Sequence, residues 1–91
     1  FIDVTAEWCL NCKLNKKLVL ESQEVLDLFD KNNIKLIRAD WTFPDQEIFE
    51  FLQKYNKYGI PFNIYFSDTY PEGYIFGEIL NKSQLIKILS K

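Results

Sequence analysis

Histidine is absent from the 91-residue sequence. Its absence excludes Ser-His-Asp and Cys-His catalysis, histidine-ligated metals and a histidine-based pH switch. The two cysteines are too few for a closed structural zinc site, which needs four thiolate or imidazole ligands. Any chemistry must therefore use other groups.

An excess of charge of either sign is also missing, because 11 Lys or Arg residues stand against 13 Asp or Glu residues, for a net charge of −2. With the two signs interleaved, the chain has no broad basic surface for nucleic acid. No run approaches 18 consecutive apolar residues, and no charged start leads into an apolar leader segment. We therefore expect neither nucleic-acid binding nor membrane insertion from this segment.

Glycine and proline are scarce, with three of each, whereas 47% of the residues are hydrophobic and 16% are aromatic. This composition is too apolar for a disordered tail and suffices for a modest core. The length fits one domain over residues 1–91, which we expect to be monomeric. Because the chain opens in a strand-like run without an initiator methionine, we expect it to be a domain cut from a larger protein.

The hydrophobic pattern predicts four strands, at residues 1–6, 34–39, 62–66 and 74–80. Helices are expected between them and at the C-terminus, in the order βαβαββα. Since a right-handed crossover joins the first two strands, these should be parallel, and the last two should form a hairpin. The sequence thus predicts an α/β domain, a four-stranded mixed sheet with helices on both faces.

Several residues mark where the helices should begin and end. The first helix should begin at Cys9 and run to about Leu20, with Leu10, Leu14 and Leu18 as its apolar stripe. The other helices should be delimited by a Ser22 cap, an Asn32-Asn33 end, a Pro44-Asp45 start, a Gly59 stop and an Asn81-Gln84 capping box.

The stretch from Trp8 to Lys13 carries the strongest chemical signal, a C-x-x-C pair directly after a strand and at the start of a helix. Free backbone N–H groups and the helix dipole favour a thiolate at Cys9, which we predict to be the exposed nucleophile. Cys12 lies one turn further in, close enough to form a disulfide with Cys9, and suits the resolving role. Two alternatives stay open: a half metal site completed by another chain, or two inert core cysteines.

Residues 3–13, which read DVTAEWCLNCK, and residues 59–61, which read GIP, resemble the thioredoxin superfamily. Residues 38–42 (RADWT) and 57–61 (KYGIP) narrow the resemblance to the C-terminal thioredoxin-like domains of the bacterial transmembrane thiol:disulfide interchange (DsbD) family. The resemblance covers nearly the whole chain. It implies a thioredoxin-like fold and a redox-active Cys9–Cys12 disulfide that needs no cofactor and no metal.

Asp3 precedes Cys9 by six residues, in a strand that we expect to be central. Burial there should raise the carboxyl pKa and place Asp3 under the disulfide, where it accepts a proton from Cys12. The resemblance also implies an acidic residue at this position; the alternative is a solvated aspartate at the strand end. Lys16 departs from the family pattern, which often has glutamate there, and a lysine should favour the thiolate.

The resemblance implies that Pro61 is a cis-proline facing the C-x-x-C pair and that the backbone of Ile60 pairs with an extended partner segment. Removing an N–H at that point leaves an open backbone edge, which suits such pairing. The alternative is an ordinary trans proline at the start of an edge strand. Trp8, beside Cys9, should shield the site and form part of the docking surface, unless it is a core aromatic.

By resemblance, the chain is a thiol:disulfide oxidoreductase, a protein-disulfide reductase at the periplasmic face of the bacterial inner membrane with a link to cytochrome c biogenesis. Its partners would be protein thiols and disulfides, namely the transmembrane domain that supplies electrons and the N-terminal domain that receives them. A free-standing thioredoxin-like reductase or isomerase is the alternative within this class. A non-catalytic binding module with a structural C-x-x-C is the alternative outside it.

Overall fold

The computed structural model describes residues 1–90, in which four strands and four α-helices occur in the order βααβαββα, which is the predicted order with two helices in the first crossover. The strands are β1 (Ile2–Thr5), β2 (Ile37–Asp40), β3 (Phe62–Tyr65) and β4 (Tyr74–Ile75). The helices are α1 (Leu10–Asn15), α2 (Gln23–Lys31), α3 (Gln46–Lys54) and α4 (Lys82–Leu89), and a π-helical turn (Lys16–Leu20) extends α1.

The sheet has the strand order β2-β1-β3-β4, so β1 is a central strand. β1 is parallel to β2 and antiparallel to β3, and β3 and β4 form the predicted antiparallel hairpin. In this register Asp3 pairs with Arg38 on β2 and with Asn63 on β3. Because directly paired residues point to the same side of a sheet, all three side chains leave one face.

Helices cover both faces of the sheet, as predicted. On the face that carries Asp3, the π-helical turn, α2 and α4 pack on the strands around Phe1, Tyr65 and Phe76. On the opposite face α3 packs through Leu52. The strand residues in that second cluster are Val4, Phe62 and Ile64. Alternate residues of β1 and β3 thus enter different cores, which fixes the side from which Asp3 meets the helices.

Leu10, Leu14 and Leu18 were expected to form the buried stripe of the first helix. This prediction is wrong, since their side chains are 72%, 44% and 61% exposed. α1 instead buries Cys12 and Asn15 against the sheet. The helix must present the C-x-x-C side to β1, and this turns the leucine side to solvent. The π-helical turn then rotates the chain so that its last two residues enter the core.

Strand lengths differ from those predicted. β2 begins at Ile37 rather than at residue 34, because β1 begins at Ile2 and the two residues are paired. β4 ends at Ile75 rather than at residue 80, and the segment that follows lies against α1. Residues with strand propensity thus continue past the point where a neighbouring strand is available to pair with them, and there the strand ends.

Helix ends also differ. α3 ends at Lys54, and Asn56 adopts the left-handed conformation with φ of 59°, so the helix stops before Gly59. Asn81 accepts a bond from the Gln84 backbone at 3.0 Å, but the Gln84 side chain donates to Tyr74 instead of completing the capping box. The predicted caps at two other helices had different outcomes. The Asp45 side chain caps α3, whereas the Ser22 hydroxyl donates to Val19 and does not cap α2.

Asn15 ties α1 to the segment between β4 and α4. It is 4% exposed, its Nδ2 donates to the Glu78 carbonyl at 2.7 Å, and its Oδ1 accepts from the Leu80 N–H at 3.0 Å. The helix that begins at the C-x-x-C pair is therefore anchored one turn later to the far edge of the domain.

We expect Asn15→Ala to lower the free energy of unfolding by about 2–3 kcal/mol, because the buried Leu80 N–H loses its acceptor along with a second hydrogen bond. Asn11→Ala, on the exposed side of the same helix, is the matched control and should change it by less than about 0.5 kcal/mol. Urea unfolding of the oxidised proteins measures both. Equal effects of the two substitutions would contradict the anchoring role.

Candidate active site

The two cysteines lie at the junction between β1 and α1. Cys9 is the extended N-cap residue of α1, and its Sγ accepts a hydrogen bond from the Cys12 backbone N–H at 3.2 Å. A disulfide joins the two residues across a Cα–Cα distance of 5.3 Å. The Cys9 sulfur therefore lies where the free N–H groups of a helix N-terminus stabilise negative charge.

Both cysteines are buried in the disulfide form, at 6% exposure for Cys9 and 3% for Cys12. They cluster with Ala6, and Ile60 packs against this cluster. The expectation of an exposed Cys9 is therefore wrong for this form, because the segment that carries Ile60 covers it. The Cys12 Sγ points inward, 4.0 Å from the Val4 carbonyl oxygen.

The peptide bond between Ile60 and Pro61 is cis, as the resemblance implied, and Pro61 is buried. β3 begins directly afterwards, at Phe62. On the other side of the bond, Ile60 packs against the cysteine cluster. The cis-proline segment thus forms a wall of the disulfide site and leads into the strand beside β1.

Trp8 is 62% exposed, so it is not a core aromatic. Its Nε1 donates to the Thr42 carbonyl oxygen at 3.1 Å, and the Glu7 N–H donates to the Thr42 hydroxyl at 2.9 Å. Thr42 thus holds the tryptophan beside the disulfide from 34 positions along the chain. Sequence reasoning used Thr42 only as a family marker, since no local pattern connects residues so far apart.

An open groove of about 450 Å³ lies next to the disulfide, between the segment after β2 and the cis-proline segment. Its floor is mostly apolar, and Tyr58, which is 67% exposed, joins Trp8 along its side. Tyr58 was not among the predicted docking residues. The groove is lined by Trp8, Trp41, Thr42, Pro44, Tyr58, Gly59 and Ile60.

Asp3 is 4% exposed and lies on the face of β1 that meets the helices, so it is not a solvated strand-end aspartate. Burial raises the pKa of its carboxyl group to about 6, against the opposing effects of Arg38 and Lys16. Arg38 Nε lies 3.7 Å from Asp3 Oδ2 across the β1–β2 pair. A carboxyl group with a pKa near neutrality suits proton exchange at neutral pH.

Lys16 is exposed at the start of the π-helical turn. Its positive charge acts on Asp3, whose pKa it lowers, in the same direction as Arg38. The two cations line a cavity of about 230 Å³ together with Lys13. Sequence reasoning missed Arg38, although a charged residue in the middle of a predicted strand is a signal that it needs a partner.

Within residues 1–90, no helix is both long enough and apolar enough to cross a bilayer. The same residues contain no group of three His, Cys, Asp or Glu side chains arranged to hold a metal ion.

The sequence matches the family model described as thioredoxin-like over residues 1–67. Thiol:disulfide interchange protein DsbD from two strains of Campylobacter jejuni is 31% identical over 87 residues, which is 96% of this chain. The chain spans 15% of the length of these curated relatives.

Two solved structures share the fold. They are the Neisseria meningitidis DsbD C-terminal domain in its oxidised form, with a TM-score of 0.78 and 20% identity, and in its reduced form, with 0.74 and 21%. Each match covers 98% of this chain, and 75% and 76% of the respective solved chains. These likenesses confirm the predicted thioredoxin-like fold.

A thioredoxin-like fold with a C-x-x-C disulfide at a helix N-terminus is an arrangement suited to thiol-disulfide exchange. The match over residues 1–67 shows that the chain belongs to the thioredoxin-like family. Within that family its sequence is similar to the interchange protein DsbD, in agreement with the resemblance seen in residues 38–42 and 57–61.

The burial of Asp3 predicts how stability depends on pH. Because the pKa of Asp3 is raised to about 6 in the folded protein, ionisation destabilises the fold as pH rises from the ordinary pKa of 3.8 through 6. Asp3→Asn should therefore increase the free energy of unfolding by up to about 3 kcal/mol at pH 7.5 and by little at pH 4. Arg38, whose side chain is 33% exposed, remains hydrated when its partner is lost.

Urea unfolding of the oxidised protein at both pH values measures this difference. The exposed Asp68 supplies the control, and Asp68→Asn should change stability by less than about 0.5 kcal/mol at either pH. A gain that is the same at pH 4 and pH 7.5 would show that the buried charge of Asp3 is not its cause.

Proposed function

We propose that the Cys9–Cys12 pair exchanges electrons with protein thiols and disulfides, and that its reduced form reduces a partner disulfide. The observation that carries this proposal is the disulfide at the N-terminus of α1, with the buried Asp3 carboxyl group on the strand beneath it. In this scheme Cys9 is the nucleophile, Cys12 resolves the intermediate and Asp3 accepts a proton.

Exchange begins when the Cys9 thiolate attacks one sulfur of the partner disulfide. The partner S–S bond breaks, a mixed disulfide with Cys9 forms, and the other partner sulfur leaves as a thiolate. Cys12 then gives its proton to the Asp3 carboxylate, and its thiolate attacks the Cys9 sulfur. The second partner sulfur leaves as a thiolate, so two electrons have passed to the partner and the Cys9–Cys12 disulfide has formed.

The electrostatics of Asp3 support its place in this scheme. With its pKa raised to about 6 by burial, the carboxyl group is mostly ionised at pH 7 yet more basic than an ordinary aspartate. Arg38 and Lys16 oppose the effect of burial and keep the carboxylate available. The inward-pointing Cys12 sulfur lies against the backbone of Val4, in the strand that carries Asp3.

The groove beside the disulfide fits an extended segment of the partner. Ile60 lies two residues before the first residue of β3, so its backbone is outside the sheet ladder and suits pairing with a peptide. Pro61 has no N–H to compete for that pairing. Trp8 and Tyr58 offer exposed aromatic surface on which apolar partner side chains pack.

We further propose that the chain is a domain of a larger membrane protein and works on the periplasmic face of the bacterial inner membrane. Electrons would arrive from a membrane-embedded domain of the same polypeptide and pass to its N-terminal domain. The support comes from the similarity to interchange proteins, which covers 96% of this chain but only 15% of their length. A free-standing reductase would use the same residues but would need no membrane-embedded donor.

The two sulfurs should behave differently when the partner is trapped. Cys12→Ser should accumulate a mixed disulfide with an oxidised protein partner, because Cys9 attacks while release fails. Cys9→Ser should accumulate at least about tenfold less, since the remaining thiol points inward and lacks the N-cap position that favours a thiolate. Mass spectrometry after acid quenching measures the covalent complexes.

The double variant Cys9→Ser with Cys12→Ser is the control for non-specific adducts. Equal trapping by both single variants, or trapping only through Cys12, would contradict the assignment of the nucleophile and the order of the exchange steps.

Trp8→Ala should slow exchange with a protein disulfide about tenfold, because an aromatic anchor at the edge of the groove is lost. Exchange with a small disulfide such as oxidised glutathione, which does not fill the groove, should slow far less. Leu18→Ala is the matched control, since Leu18 is 61% exposed and outside the groove, against 62% for Trp8. Stopped-flow measurement gives the exchange rates with both substrates. Equal slowing with both would show that Trp8 does not act in docking.

A further inference from the structure

Asn63 is a buried polar side chain that the exchange scheme does not use. It lies in β3, is 1% exposed, and neither its Nδ2 nor its Oδ1 has a hydrogen-bond partner within residues 1–90. A buried amide without partners destabilises a fold, and such groups are rare in native proteins. A hydrogen bond that forms at another stage of the reaction would account for an amide at this position.

The register of the sheet places Asn63 directly opposite Asp3 across the β1–β3 pair. In antiparallel pairs the Cβ atoms of opposite residues are about 4.5–5.5 Å apart and point to the same side. A side-chain amide and a carboxyl group attached at that separation are within hydrogen-bonding reach. Arg38 holds the equivalent position on the other side of Asp3, so the carboxyl group lies in a row of three polar residues.

The chemistry of an amide matches both protonation states of a carboxyl group. Nδ2 of Asn63 donates to the ionised carboxylate, and Oδ1 accepts from the O–H of the protonated acid after the amide turns over. The bond to the ionised form is charge-assisted and is therefore the stronger of the two. An apolar side chain at this position would form no hydrogen bond with either the ionised or the protonated carboxyl group.

We propose that Asn63 is a positioning residue, whose side-chain amide hydrogen-bonds the Asp3 carboxyl group while that group takes the proton of Cys12. This inference rests on the proposed function. The amide orients the carboxylate towards the thiol and favours its ionised form, so that Asp3 is ready to accept a proton at a lower pH. The charged groups that act on Asp3 are Arg38 from β2 and Lys16 from the π-helical turn, and the Cys12 sulfur lies 4.0 Å from the carbonyl oxygen of the next residue of β1, Val4.

The first test is the pH profile of Asn63→Leu, which replaces the amide with an apolar group of similar size. A complex trapped between Cys9 and a partner peptide is allowed to resolve through Cys12, and rapid quenching gives the rate at each pH. The midpoint of this profile, and the midpoint of the Asp3 carboxyl carbon in NMR titration of the reduced protein, should both rise by about one pH unit. Ile64→Val, which alters the neighbouring residue on the opposite face of β3, is the control and should leave both midpoints in place.

The second test uses the unaltered protein and does not depend on the folding of a variant. In the reduced protein, the side-chain amide nitrogen resonance of Asn63 should titrate with the same midpoint as the Asp3 carboxyl carbon. The side-chain amide of Asn15, which is bonded to backbone groups, should not follow that titration.

The inference is overturned if the Asn63 amide resonance ignores the Asp3 titration, or if Asn63→Leu folds and keeps both midpoints. An Asn63 amide resonance that responds only to the reduction of Cys12 would also overturn it, because the amide would then interact with the sulfur and not with the Asp3 carboxyl group. These results leave thiol-disulfide exchange intact. Failure of the unaltered protein to resolve a Cys9 mixed disulfide through Cys12 would contradict the proposed function instead.

Discussion

The pairing of β1 on both of its edges is the constraint on which the rest of the structure depends. This strand is four residues long, is bonded to β2 and β3, and leads directly into the C-x-x-C turn. A slip of one residue would turn Asp3 to the face of α3, and Val4 to the face on which the π-helical turn, α2 and α4 pack. The apolar packing of both cores therefore fixes the face of β1 from which the Asp3 carboxyl group leaves, although burying that group destabilises the fold.

Two different surfaces meet at the disulfide. On one side, the buried Asp3 carboxyl group stands between the partly exposed Arg38 and the buried Asn63, in a row of polar residues suited to moving a proton. On the other side, an apolar groove with Trp8 at its edge is open to a partner. The disulfide closes a loop of only three residues' separation, so its contribution to stability through chain entropy is small. The two cores that sandwich the sheet hold the domain together, which leaves the sulfur pair free to open and close.

Local sequence patterns were reliable wherever one short stretch contains the whole signal. The C-x-x-C at a helix start and the Asp45 cap both belong to this group. The patterns failed where another element decides. Leu14 and its neighbours recur with helical spacing yet face solvent, because α1 is oriented by the cysteines. Gly59 is a good helix terminator, but Asn56 ends the helix earlier.

The sequence by itself determined the fold class, through the hydrophobic pattern of its strands and helices. It also determined the redox pair and the carboxyl group in the strand before it, because these groups lie within ten residues of each other along the chain. Only the tertiary structure decided that Arg38 and Asn63 flank Asp3 and that Thr42 holds Trp8. Those contacts depend on the register of strands far apart in sequence. Register is set by the summed packing of both faces of the sheet, which no local pattern encodes.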